Sequence, residues 1–291
     1  MQRWTPRVTD LAGGLQVRRA LPVAARRSVG PFVFFDHFGP VSLAPDADTD
    51  VGPHPHIGLA TVTYLFEGGF LHRDSLGTVQ DIAPGAVNWM TAGRGIVHSE
   101  RTPDAQWGQV RRLHGLQLWV ALPLDAEQGE PSFQHVAAED IPQGAIDGAD
   151  VRVLVGEAFG LRSPVRTASP TLYLDVELPA GVPWTLPRLA EEMAVYSPTE
   201  CIELAGEMLP TGEMALVTGA DGALLRAALP TRVIVIGGMP LEPRLMWWNF
   251  VASDRALIER AADRWAARDF EPIPGETEGL LMPPRPLHPG V

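Results

Sequence analysis

The sequence predicts an all-β protein, and three observations carry that prediction. Short runs alternate apolar and polar residues with the period of a strand. The chain is broken by 29 glycines and 28 prolines among 291 residues, a density of turn formers that suits many short strands. Only one segment carries a sustained helical pattern. Taken in order, residues 61–66 are β-branched and aromatic and end at the turn signal Glu67-Gly68-Gly69. Leu116, Leu118, Val120 and Leu122 alternate up to Pro123, and Leu172, Leu174, Val176 and Leu178 alternate up to Pro179. Residues 232–237 form a short apolar run better suited to a strand than to a helix. Residues 189–193 suggest a short helix. Residues 253–268 predict a longer one, with Ser253 as N-cap, Asp254 in the first turn and a stripe of Ile258, Ala261, Ala262 and Trp265. Arg264 and Arg268 lie near its end, where cations suit the helix dipole. Residues 270–291, rich in Pro and Gly, read as an extended tail.

A faint internal echo joins residues 83–93 to residues 210–219: each reads as a turn, an apolar strand and a glycine turn. It suggests a duplicated β domain with a boundary in the polar stretch between Asp125 and Asp150.

Charge and composition exclude several functions. Acidic residues outnumber basic ones 35 to 23, for a formal charge of −12. Binding to nucleic acid or to an anionic membrane surface needs the opposite sign. All the basic residues are Arg, so Schiff-base, P-loop and general-base lysines are excluded. The single cysteine, Cys201, permits neither an internal disulfide nor a thiolate metal cage and reads as an inert core thiol. No stretch is apolar enough to span a bilayer and the N-terminus lacks a signal-peptide core, so a cytoplasmic location is expected.

The histidines are unevenly spread. His37, His54, His56, His72, His98, His114 and His135 precede residue 136, and only His288 follows. In a duplicated protein, therefore, only the first half can hold an imidazole-rich site. His54-Pro55-His56 places two imidazoles on one face of an extended strand, and His98-Ser99-Glu100 repeats the spacing with an imidazole and a carboxylate. Facing strands would converge three nitrogens and one oxygen. A six-coordinate metal would keep two positions open, whereas a closed tetrahedral zinc site would use the same residues structurally.

Three stretches, residues 54–64 from His54-Pro55-His56, residues 72–77 from His72-Arg73-Asp74, and residues 89–100 ending in His98-Ser99-Glu100, together resemble the pirin family of the cupin superfamily. Residues 114–120 and Trp247-Trp248-Asn249-Phe250-Val251 are similar to segments of bacterial pirin-like proteins. The resemblance implies two cupin-type β-barrel (jelly-roll) domains packed face to face. Residues 1–135 would form the metal-binding domain. Residues 136–291, including helix 253–268 and the tail, would form a second domain that has lost its ligands. It further implies that His54, His56, His98 and Glu100 bind a metal, usually iron. Mn, Co, Ni or Zn suit the same donors. A departure is Ile57-Gly58-Leu59, where relatives often carry Arg-Gly-Phe.

By this resemblance the expected function is an iron-dependent dioxygenase, like quercetin 2,3-dioxygenase, acting on a small planar phenol such as a flavonol and on dioxygen. Glu100 would serve as ligand and catalytic general base. The alternative is a metal- or redox-responsive regulator, without turnover, acting through a protein partner; a metal isomerase is a third reading. The expected state is a monomer without nucleic-acid or membrane contact. Asp74 is a candidate to orient a ligand or to pair with Arg73. His37 and His114 read as structural, Phe66, Trp89 and Met90 as core, and Trp247-Trp248 as packing between helix and barrel.

Overall fold

The computed structural model describes residues 2–10 and 15–284; residues 285–291, with His288 and the end of the expected tail, lie outside the described residues. The architecture is mostly β, in two barrels, each built from a seven-stranded sheet facing a four-stranded one. The first large sheet runs, in spatial order, Ser132–Val136, Val87–Thr91, Leu59–Glu67, Arg111–Ala121, Phe32–Leu43, Gln16–Leu21 and Arg7–Asp10. The second runs Arg3–Trp4, Met214–Leu216, Glu192–Tyr196, Thr231–Gly238, Thr171–Leu178, Ala149–Val155 and Gln143–Ile146. The two echoing segments, 83–93 and 210–219, supply the second strand of each list, so the internal similarity marks equivalent places in two copies of one topology.

The two large sheets bury one face against each other. A single apolar cluster joins Phe35, Val62, Tyr64, Trp89 and Leu116 of the first to Tyr173, Tyr196 and Ile234 of the second. Their opposite faces line the two barrel interiors. The two ends of the chain cross over. Arg3–Trp4 pairs with the second barrel's Met214–Leu216, while the segment after residue 244 packs on the first barrel. There the hairpin Leu245–Trp247 and Phe250–Ala252 is followed by helix α1, Arg255–Ala266, whose Ile258, Ala261 and Ala262 pack with Ile57 and Val97. Gly58 sits at this contact with φ +68°; a Cβ there would lie 2.0 Å from the Val251 carbonyl oxygen.

Two helical expectations need correction. Residues 189–191 are irregular and Glu192–Tyr196 is a strand. Met193 and Val195 face the second barrel's core and Ala194 and Tyr196 face the first barrel, so burial on both sides erases the alternation that would identify a strand. The longer helix is capped by Asp254, whose side chain accepts from the Ala256 amide at 2.9 Å. Ser253 cannot cap it, because its amide and its hydroxyl both donate to the Glu127 carboxylate. Cys201 is exposed rather than in the core, in the turn before strand Ile202–Leu204. Among the described residues no helix is long and apolar enough to cross a membrane.

Candidate metal centre

Val51–His56 is the edge strand of the first barrel's small sheet, followed in order by Ile96–Arg101, Phe70–Asp74 and Val79–Ile82. An edge has an unpaired side and so tolerates Pro53 and Pro55, which cannot donate to a ladder. His54 lies opposite His98, and His56 opposite Ile96. Between His98 and Glu100 the register with the edge strand shifts, whereas pairing with Phe70–Asp74 stays regular, setting His98 against Asp74 and Glu100 against His72.

The three histidines converge. One nitrogen from each of His54, His56 and His98 lies within 4.8 Å of the others, and Nε2 of His56 is 3.1 Å from Nε2 of His98. All three rings are buried, exposed by 6%, 1% and 1%. Nδ1 of His54 is 2.8 Å from the Gly52 carbonyl oxygen, and Nδ1 of His56 is 2.9 Å from that of Asn249. A carbonyl only accepts, so both Nδ1 atoms carry the proton and both Nε2 lone pairs face the cluster. Burial lowers the His54 pKa to about 4, and burial with neighbouring imidazoles holds His56 and His98 well below the usual value. Nδ1 of His98 is buried without a partner. Neutral imidazoles fixed by carbonyls at the far nitrogen are the form that binds a first-row transition metal, and the donor set fits one.

Glu100 stands apart from the three-histidine cluster. Its Oε1 lies 3.3 Å from the Thr63 hydroxyl, which donates at 2.8 Å to Gln117. Burial pushes its carboxyl up, against the influence of His72 and Thr63. His72 is hydrogen-bonded to Asp74 at 3.0 Å and stacks on Phe133, while Asp74 accepts from the Leu76 and Thr78 amides. Asp74 thus braces His72 and its own turn, without pairing with Arg73. Trp119, stacked on Phe34, packs its ring 5.1 Å from that of His56. Ile57 packs under α1, and Leu59 against Phe34, Trp119 and Val251. His37 and His114 lie between the barrels, Nε2 to Nε2 at 2.8 Å, with His37 Nδ1 2.7 Å from the Tyr196 hydroxyl. Trp89 and Met90 are core, Phe66 is partly buried, and Trp248 packs against Trp265 of the helix.

The second barrel shows what its copy of the site became. Its small sheet pairs Trp184 with Leu225 and Leu186 with Ala223, and pairs Leu225 with Leu204 and Ala227 with Ile202. The matching register puts Trp184 and Leu186 where the first barrel has His54 and His56, and Leu225 and Ala227 where it has His98 and Glu100. All four are buried apolar residues. Asn249, Thr63, Gln117 and Trp119 were absent from the sequence-derived site. Asn249 acts through its backbone and carries no side-chain signal.

Two jelly-roll barrels, one holding a three-histidine metal-binding site and the other filled by apolar residues, define a two-domain cupin protein. The Pirin family model matches residues 14–120, and the model described as the Pirin C-terminal cupin domain matches residues 173–271. The chain belongs to the pirin family. It is 43% identical over 274 residues to a pirin-like protein of Caulobacter vibrioides, covering 93% of this chain and 94% of the relative. It is 41% identical over 259 residues to human pirin, covering 85% of each. The crystal structure of quercetin 2,3-dioxygenase from Acinetobacter baumannii superimposes with a TM-score of 0.89 at 36% identity, covering 97% of this chain and 94% of that one.

Proposed function

We propose that the protein is a mononuclear iron dioxygenase that opens a flavonol such as quercetin with dioxygen, releasing carbon monoxide and a depside. The observation that carries this reading is the convergence of three neutral imidazoles, two of them oriented by backbone carbonyls, in one barrel of the pair, with the partly buried carboxyl of Glu100 two residues along the strand from His98. The likeness to a structure named quercetin 2,3-dioxygenase supports the same class.

Held by His54, His56 and His98, with Glu100 as a fourth ligand, the metal would supply open positions for the substrate's hydroxy-ketone and for dioxygen. Glu100 takes the proton from the substrate hydroxyl. The Thr63 hydroxyl lies 3.3 Å from the carboxylate oxygen. Asn249 holds the His56 ring through Nδ1, and Trp119 walls the site on that side.

The test is oxygen uptake by iron-loaded protein on adding quercetin, beside His56→Ala. Metal-dependent uptake with loss of the flavonol absorbance is expected. No uptake from protein that demonstrably holds iron would overturn the dioxygenase reading and favour a metal-responsive regulator acting through a protein partner.

A further inference from the structure

The inward-facing side of the first barrel's large sheet carries a polar band that the metal ligands do not account for, running inward from His135, which is exposed at the sheet edge. His135, Asn88, Thr63, Gln117, Asp36 and Arg19 lie opposite one another across six adjacent strands. Nδ1 of His135 is 2.6 Å from Oδ1 of Asn88, Thr63 donates to Gln117, and Arg19 makes two hydrogen bonds to Asp36 at 2.8 and 2.7 Å. On one side of the band, Met90, Trp119 and Phe34 form a largely apolar row toward His56. On the other, Val17, Phe38 and Leu65 close the barrel.

The fold does not require this polarity. In the second barrel an interior row of Ala215, Val195, Val235, Leu174 and Val153 is wholly apolar and packs a solid core. In the first barrel's band the Asn88 amide is incompletely satisfied: it is 3% exposed and its Nδ2 has no hydrogen-bond partner. Oδ1 faces His135, so the group left over is the Nδ2 donor. Asn88 lies opposite Thr63, whose hydroxyl is 3.3 Å from Glu100, on the same inward face of the sheet. A buried donor of this kind, between a polar band and an aromatic row, matches a planar aromatic ligand bearing hydroxyl groups.

We propose that Asn88 is a specificity-determining residue whose side-chain NH2 donates to a ring hydroxyl of the substrate, outside the oxygen pair that reaches the metal. The inference rests on the flavonol reading and adds the contact that selects among flavonols. A site built to hydrogen-bond a hydroxyl disfavours the analogue lacking it, because the protein group is then left unpaired. The experiment uses protein loaded anaerobically with ferrous iron, so that binding is read without turnover. Quercetin and 3-hydroxyflavone share the chelating oxygens, and only quercetin carries the additional hydroxyls. Wild type is expected to bind quercetin more tightly. Asn88→Leu, close in volume, is expected to weaken quercetin binding about tenfold while leaving 3-hydroxyflavone binding and iron content unchanged. Asn88→Asp keeps an acceptor for His135 and removes the donor, so it should lose the same preference even where the leucine variant folds poorly. An unchanged preference in both variants, or equal weakening of both ligands, would overturn the role of Asn88 alone. Failure of iron-loaded wild type to bind either flavonol would overturn the flavonol reading itself, and this inference with it.

Discussion

His56 makes the most informative single-residue test, because its two nitrogens are committed to different tasks. Nδ1 is held by the Asn249 carbonyl and Nε2 faces the cluster. His56→Ala should therefore lower iron content severely, as read by metal analysis, while the barrel persists; full retention of iron would remove His56 from the site. Glu100→Gln keeps the shape and a partner for Thr63 while removing the base. Turnover should fall about a hundredfold or more, while iron content changes much less. Unaltered oxygen uptake would take Glu100 out of the base role. The three histidines were legible because a metal site is written in side-chain identities at a spacing the strand geometry makes meaningful. The contributions of Asn249 and Asn88 were not. One is a backbone carbonyl from nearly two hundred residues away, and the other becomes visible only when six strands are aligned side by side. Cys201 misled for a related reason: its apolar neighbour Ile202 enters the core as the chain turns, leaving the thiol outside.

At the scale of elements, the strand Ile96–Arg101 carries two of the proposed ligands inward and is latched from outside. Ser99, fully buried, donates to Glu276 at 2.6 Å, and Arg101 donates to the other oxygen of the same carboxylate at 2.6 Å. Glu276 thus grips the residues on either side of Glu100. Glu276→Ala leaves the Ser99 hydroxyl buried without its partner and should cost about 1–3 kcal/mol in denaturant unfolding. Amide exchange should also quicken along residues 96–101; unchanged exchange there would mean that the latch does not hold the strand. Residues 116–122 and 172–178 were read as strands from alternation, and residues 232–237 from a short apolar run bounded by turns. Glu192–Tyr196 was missed because both its faces are buried, which removes alternation, and the run is short and opens on Glu192 rather than on β-branched residues. The helix was found from its apolar stripe, but its cap was misplaced by one residue, because a distant carboxylate, Glu127, claims Ser253. Such long-range competition leaves no local trace in sequence.

For the whole molecule, the crossed chain ends and the shared face tie the barrels together, so the groups trapped between them govern stability as well as fit. His37 and His114 meet there. Burial, then the Arg18 guanidinium and His114, pull the His37 pKa from 6.5 to about 2. Burial lowers His114 to about 4; Glu67 opposes the shift, and Arg232, Arg18 and Arg112 add to it. In the unfolded chain both imidazoles titrate near 6.5. Between that value and their folded values the unfolded state binds more protons than the folded one, so stability rises with pH and falls as the solution is acidified. The contribution is fully present above about 6.5 and is lost progressively on acidification, until His114 titrates near 4 and His37 near 2. The metal-free histidines of the cluster drift in the same direction, so the interface is isolated by difference. A His37→Gln, His114→Gln double variant should show a shallower dependence of unfolding free energy on pH between 4 and 6.5 than wild type, both proteins being stripped of metal. Equal slopes would mean that the pair takes up its protons without separating the sheets, and that the acid sensitivity of the molecule resides in the metal barrel alone.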